Sequence, residues 1–316
     1  MYKDAFSDIM PILLKELGKN FRLKTNEATC FRLTTTVSCY TSTISLETVR
    51  EANEMLNPLF SIELIDPSHF KLTILLPKKS FKGIEKDQLP EAIFIKATKH
   101  INMMCVGLSI ATLGRFWWHG FNWRDRFIEK FDNESNSQID VELKHMSHPV
   151  SFYTDGKLQY ALDTKLFDIS SFLIGLLFIS KSQLETTWRL VSLNYIKGLH
   201  LFATPVADIN FYDEIFMCYY RCLENLCTVS ILKKKSLKNE HKDITRALEI
   251  CKVPKQALVE FNNVYKIRSS IVAHCQNPNS TLATFEHAHD VKILVDLVLQ
   301  NIILSEFVKT PVPQFN

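Results

Sequence analysis

The sequence predicts an α+β region at the N-terminus, followed by an all-α unit of four helices. Three observations predict it. Segments that alternate apolar with polar or β-branched residues cluster between positions 30 and 77 and return at 139–163. Helical spacing occupies about 90–113 and dominates from about 167 to the end. The 316 residues include only 8 glycines, and no Walker A, G-x-G-x-x-G or G-x-S-x-G pattern occurs, so phosphate-cradling loops are not expected.

Taken in order, residues 1 to about 20 place Phe6, Ile9, Leu13, Leu14 and Leu17 on one face of an amphipathic helix. The segments CFRLTTTVSCY, LFSIELID and HFKLTILL then read as strands, the last two a hairpin turning at Asp66-Pro67. A long helix runs from Pro90 to about Leu113, followed by the aromatic stretch RFWWHGFNWRDRF. In 139–163, Asp155-Gly156 marks a turn between SFYT and KLQYAL. A helix ends near Phe202, and Pro205 with VADIN sets the boundary between a region at 1–205 and a second at 206–316. Beyond it, helices are expected at about 211–232, 241–251, 254–276 and 284–308. Pro254 fits the first turn of the third, where its missing N–H costs nothing.

With 37 Lys and Arg against 34 Asp and Glu, the net charge of +3 does not describe a nucleic-acid coat or a membrane-surface protein. The eight cysteines follow no CxxC spacing and several sit in apolar helical patterns, as buried thiols of a reducing compartment would. The N-terminus carries no signal-peptide pattern, and the longest apolar run, Phe172 to Ile179, is far short of a membrane span. A cytoplasmic protein is expected.

The third C-terminal helix, VPKQALVEFNNVYKIRSSIVAHC, is the most informative stretch. At 100° per residue, Phe261, Val264, Tyr265, Ile271, Val272 and Cys275 fall within about 60° of Arg268. A guanidinium in the middle of an apolar stripe needs a carboxylate, a phosphate or a water-filled cleft. On the first helix the same construction groups Phe216, Tyr220, Leu223, Cys227 and Ile231 with Glu224. Glu224 and Arg268 are therefore expected to pair, as a purely architectural pair or as part of a site. Six residues after Arg268 stands His274, about 120° away on a straight helix, where a second subunit could meet it.

The combination of YYRCLENL with VYKIRSSIVAHC resembles the HEPN superfamily, specifically its Apea-like group. The match falls on Tyr220, Arg221, Leu223, Glu224, Tyr265, Arg268, Ser269 and His274, in roughly the last hundred residues. The resemblance implies a helical homodimer that cuts or binds RNA, the two Arg/His motifs facing one another. It assigns catalysis to Arg268, His274, Glu224 and Ser269, without metal or other cofactor, and suggests bacterial anti-phage defence by abortive infection. The region at 1–205 would then sense a trigger, phage-derived or a partner protein, or recruit. The chemistry is internal attack of a ribose 2′-OH, His274 moving the proton and Arg268 holding the phosphate. A non-catalytic HEPN-like RNA-binding or scaffolding module is the alternative.

Lys233, Lys234, Lys235 and Lys238, in the segment joining the first two helices, are candidate RNA-phosphate contacts, although such a run is also an ordinary solvated loop. Arg115, Trp117, Trp118, His119, Trp123, Arg124 and Arg126 interleave rings and cations like a base-stacking platform, or like the core and rim of an α+β domain. His145-x2-His148 and His287-x-His289 lack partners at metal-ligand spacing.

Overall fold

A computed structural model describes residues 30–40, 46, 49–50, 53–54, 60–66, 68–119, 139–143, 186–204, 211–273 and 282–308. The expected helix at 1–20, the strands beyond 143, the apolar run at 172–179 and the turn at Asp155-Gly156 lie outside these residues. The fold is a mixture of α and β, with a sheet in the first part and helices through the remainder.

β1 (Cys30–Tyr40), β2 (Phe60–Asp66) and β3 (His69–Pro77) are the three alternating segments of the sequence. β2 and β3 pair antiparallel as the expected hairpin, and the Asp66 carboxylate accepts from the Ser68 N–H at 2.7 Å as the chain turns. β3 pairs antiparallel with β1, placing Phe31, Leu33, Thr35 and Val37 opposite Leu76, Ile74, Leu72 and Phe70. All eight are buried, the period-2 face that the alternation encodes. On the other edge of β1, β4 (Arg115–Trp117) pairs antiparallel near Tyr40 and β5 (Ile139–Leu143) pairs parallel near Leu33.

Between β3 and β4 runs α1 (Leu89–Thr112), with Pro90 in its first turn, a position that needs no N–H. Ile93, Ala97, Ile101, Met104 and Leu108 are buried along one side, and burial widens to Met103, Val106 and Ile110 toward its C-terminal half. There Gln300, on the last helix, donates to the Ile110 carbonyl at 2.6 Å. The aromatic stretch after α1 is core where it is described. Trp117 and Trp118 are buried, and the Trp118 indole N–H donates to Thr35 at 2.7 Å, whose hydroxyl donates to the Leu143 carbonyl at 2.8 Å. Arg115 is enclosed too, its guanidinium 4.5 Å from the Tyr40 ring centre and 4.7 Å from that of Phe285. Rings and cations placed there offer no face to a nucleobase. Trp123, Arg124 and Arg126 lie outside the described residues.

The helices that follow are α2 (Thr186–Phe202), α3 (Tyr212–Asn225), α4 (Glu240–Ile250), α5 (Lys255–Ala273) and α6 (Phe285–Val308). The last four match the helices expected beyond residue 205. α3 continues as a π-helical segment, Leu226–Ile231, in which the Leu232 N–H reaches the Cys227 carbonyl at 2.9 Å. α2 lies against α3 closely enough that a Cβ on Gly198 would sit 2.7 Å from the Tyr219 ring, so glycine is what permits the approach. α6 is buried on every side from Ala288 to Leu299, and it packs on α1, α3 and α5. The buried apolar residues form one contiguous cluster from Phe31 to Ile303. The cysteines among the described residues, Cys30, Cys39, Cys105, Cys218, Cys222, Cys227 and Cys251, are buried free thiols.

Candidate functional site

α5 carries Phe261, Val264, Tyr265 and Arg268 on one stripe, as the periodicity requires. Phe261 and Val264 are fully buried, whereas Tyr265 and Arg268 are only partly covered, so the stripe leaves the core at its Arg268 end. There the guanidinium Nη2 lies 2.8 Å from Oε2 of Glu240. The other oxygen, Oε1, accepts from the Tyr220 hydroxyl at 2.8 Å. The guanidinium carbon is 5.7 Å from the centre of the Tyr220 ring, within cation–π range. Three helices thus contribute one side chain each: Tyr220 from α3, Glu240 from α4, Arg268 from α5. Burial and the neighbouring Glu240 push the Tyr220 phenol well above its usual range, so it serves as a hydrogen-bond donor.

This corrects the expected Glu224–Arg268 pairing. Glu224 lies on the same face of α3 one turn beyond Tyr220, half-buried, but the carboxylate that reaches Arg268 is Glu240. Burial and then the charge of Glu240 raise the Glu224 carboxyl above its usual range, and Arg268 and Arg221 only partly offset them. Glu240 prevails because it opens α4, whose entry is set by its own caps. Asn239 accepts from the Lys242 N–H at 3.1 Å, and a carboxylate in a first turn is favoured by the helix dipole.

Asp243 orders the lysine segment. Its Oδ1 accepts from the Lys234 ammonium at 2.7 Å, and its Oδ2 from the backbone N–H groups of Lys238 and Asn239 at 3.1 and 3.3 Å. The Lys234 hydrogen bond, followed by those from the backbone, holds the exposed Asp243 carboxyl below its usual range despite a small opposing effect of desolvation. Lys234 is therefore committed to a carboxylate. Lys233, Lys235 and Lys238 project from a held loop into solvent, Lys233 with a left-handed backbone at φ 53°. Ser269 is exposed, and its hydroxyl donates back to the Tyr265 carbonyl of its own helix at 3.0 Å rather than toward Arg268.

Sequence reasoning passed over His241, in the first turn of α4 beside Glu240. Its ring stacks on Phe261 at 5.5 Å and meets the edge of Tyr265 at 4.7 Å. Its Nε2 lies 3.0 Å from the Asn262 side-chain oxygen. No motif marks this histidine; the signal present was the E-H pair placed just after an N-cap asparagine, which puts both side chains in a first helical turn. His274 and Cys275 lie outside the described residues, as do His145 and His148. Among the described residues no group of three His, Cys, Asp or Glu is placed to hold a metal ion. His287 bonds within its own turn to Thr284 at 3.1 Å, and His289 is buried.

The second feature that the sequence did not announce is enclosed. On α6, Lys292 Nζ donates to Asp296 Oδ2 at 2.5 Å, and Tyr195 of α2 donates to Asp296 Oδ1 at 2.5 Å, every member fully buried. The signal was an i,i+4 Lys/Asp pair inside an otherwise apolar helix.

No helix among the described residues is long and apolar enough to cross a membrane. Compared with known proteins, the chain matches no protein-family model, no curated protein and no solved structure.

Proposed function

We propose that this chain is a metal-independent endoribonuclease of HEPN type, in which Arg268 holds the scissile phosphate and His274 transfers a proton. The observation that carries the reading is the placement of Arg268. It is the strongest anion-binding group on α5, a quarter exposed, with one terminal nitrogen on Glu240 and the other neither bonded nor enclosed. A guanidinium is suited to a phosphate because its planar fork offers paired donors and cannot be deprotonated. The held loop bearing Lys233, Lys235 and Lys238 leads directly into Glu240, so cations stand beside the same edge of the bundle. The HEPN-like bundle, the homodimer through the C-terminal helices, the sensing or recruiting role of residues 1–205 and a defence role by abortive infection belong to this proposal.

Cleavage follows from RNA's own nucleophile. The 2′-oxygen attacks the adjacent phosphorus, the bond to the 5′-oxygen breaks, and the anionic transition state is held by the guanidinium. The test is an RNA digest in EDTA with end-group analysis. Products ending in 2′,3′-cyclic phosphate and 5′-hydroxyl, lost in His274→Ala and Arg268→Ala and absent with DNA, are expected. Strict metal dependence, or full activity in both variants, overturns the assignment. A second reading, an RNA-binding or scaffolding module without cleavage, is favoured by the Glu240 ion pair, which already satisfies half of the guanidinium. It predicts RNA binding with no products.

A further inference from the structure

We infer that His241 is a second proton-transfer residue of this site, acting as the general base that removes the 2′-OH proton, with Asn262 as its positioning residue. The inference rests on the ribonuclease reading above and deepens it.

The chemistry requires two proton transfers. One removes a proton from the attacking 2′-oxygen and the other supplies one to the departing 5′-oxygen, on opposite sides of the phosphorus. A single His274 in one chain accounts for one of them. The described structure contains a histidine arranged for the other. The Asn262 side-chain oxygen faces His241 Nε2 at 3.0 Å, and the Asn262 amide nitrogen is turned the other way, donating to the Leu258 carbonyl at 3.4 Å. An amide oxygen only accepts, so His241 Nε2 carries the proton and donates. In the neutral ring Nδ1 then holds the lone pair, the form a base needs. Nδ1 has no hydrogen-bond partner and is not enclosed.

The location fits one nucleotide. Phe261 and Tyr265, the two rings His241 touches, lie about 10 Å and about 4.5 Å along α5 from Arg268 at the helical rise of ~1.5 Å per residue. Glu240, its neighbour in sequence, is the residue bonded to Arg268. The charged and titratable groups around this edge are Tyr220 and Glu224 from α3, Glu240 from α4, and Tyr265 and Arg268 from α5. In the balanced step, the 2′-O–H proton passes to His241 Nδ1 as the 2′-O–P bond forms. The P–O5′ bond breaks, its electron pair stays on the 5′-oxygen, and His274 protonates that oxygen. The products are a 2′,3′-cyclic phosphate and a 5′-hydroxyl, and solvent restores both histidines.

The test is single-turnover cleavage of two oligoribonucleotides by the full-length protein, one normal and one with a 5′-bridging sulfur at the scissile phosphate. A thiolate leaves without a general acid. His241→Phe, which keeps the ring contacts with Phe261 and Tyr265, is expected to lose roughly 10²- to 10⁴-fold on both substrates. It also loses the acidic limb of the pH–rate profile. His274→Ala is expected to fail on the normal substrate and recover on the sulfur one. Asn262→Ala lowers kcat more than it raises KM, and Asn262→Asp restores it. Binding of a 2′-deoxy oligonucleotide is expected to be unchanged in His241→Phe, which also reports that the variant is folded. Wild-type cleavage with an equally active His241→Phe overturns this inference and leaves the ribonuclease reading standing. An inert wild-type protein overturns both.

Discussion

The bundle contains the same three-part arrangement twice, once sealed and once open. Inside, Tyr195 donates to Asp296, Lys292 donates to the other oxygen, and the ammonium lies 5.7 Å from the Tyr195 ring centre. At the edge, Tyr220 donates to Glu240, Arg268 pairs with its other oxygen, and the guanidinium lies 5.7 Å from the Tyr220 ring centre. The bonding is alike and the surroundings are not. Lys292 and Asp296 are 0% exposed, against 26% for Arg268 and 20% for Glu240. Neither inner charge can find water or another partner, so the inner arrangement pins α2 to α6. In the outer one a flexible Arg retains an open donor, so it can exchange a carboxylate for a phosphate. A charge network is assigned to structure or to chemistry by what it can trade with, not by its composition.

The largest expected effect is on the sealed arrangement. Asp296→Ala leaves the Lys292 ammonium enclosed without its carboxylate, and about 3 to 5 kcal/mol of stability is expected to disappear in denaturant unfolding. Replacing both residues, Lys292→Met with Asp296→Leu, is expected to cost much less, since no charge is stranded. If the single and double variants melt alike, the inner arrangement is not what holds α2.

The sealed region also sets a pH dependence that the open one lacks. Burial raises the Asp296 carboxyl to about 6, with Lys292 and Tyr195 pulling it down only in part. Between the unfolded value of 3.8 and about 6 the folded chain binds the extra proton, so this group's penalty grows as pH rises through that window and shrinks as pH falls. His289 works in the opposite direction. Burial, aided by Arg115 and Lys292, holds its imidazole well below 6.5, so the fold refuses a proton that the unfolded chain accepts, and stability is lost on acidification below 6.5. Asp296→Asn is therefore expected to lose stability more steeply than wild type from pH 7 to pH 4, and His289→Leu less steeply. Chemical denaturation at four or five pH values measures both slopes.

Smaller changes are expected at the open edge. Glu240→Ala removes a partly solvated partner, for which about 1 kcal/mol is a reasonable scale. It also frees Arg268, so affinity for a single-stranded oligoribonucleotide is expected to rise several-fold in low salt. Fluorescence anisotropy measures it, and weaker binding would show that Glu240 positions Arg268 rather than competing with the ligand. The smallest effect is that of Glu224→Gln. Because the fold disfavours the charged form of Glu224, the neutral isostere is expected to leave the melting temperature unchanged or slightly higher at pH 7. A clear loss would mean that Glu224 holds a cation after all.

Much of this chain was legible residue by residue. Alternation located β1, β2 and β3, and helical spacing located α1 and the four C-terminal helices to within a few residues. Both follow from local geometry, because a period of 2 or 3.6 is written into the backbone. The position of Arg268 on an apolar stripe was equally local, and so was its need for an acid. Which acid answered was not. Glu224 and Glu240 both stand near Arg268, and the choice depended on how α4 crosses α5 after a loop held by Asp243. The burial of Trp117, Trp118 and Arg115 was open for the same reason, since alternating rings and cations are compatible with a surface or a core until a strand pairing places them.

What the sequence by itself determined is therefore the inventory: which segments are strands, which are helices, and which charged side chains sit on apolar faces. Those properties are set within one turn or one pleat of the chain. The tertiary structure alone decided the partners, bringing Tyr220, Glu240 and Arg268 together from three helices and enclosing Lys292, Asp296 and Tyr195. It also seated His241 against Asn262 and Tyr265. Contacts between separate elements depend on crossing angles and on the packing of many side chains at once, and no local pattern encodes that sum.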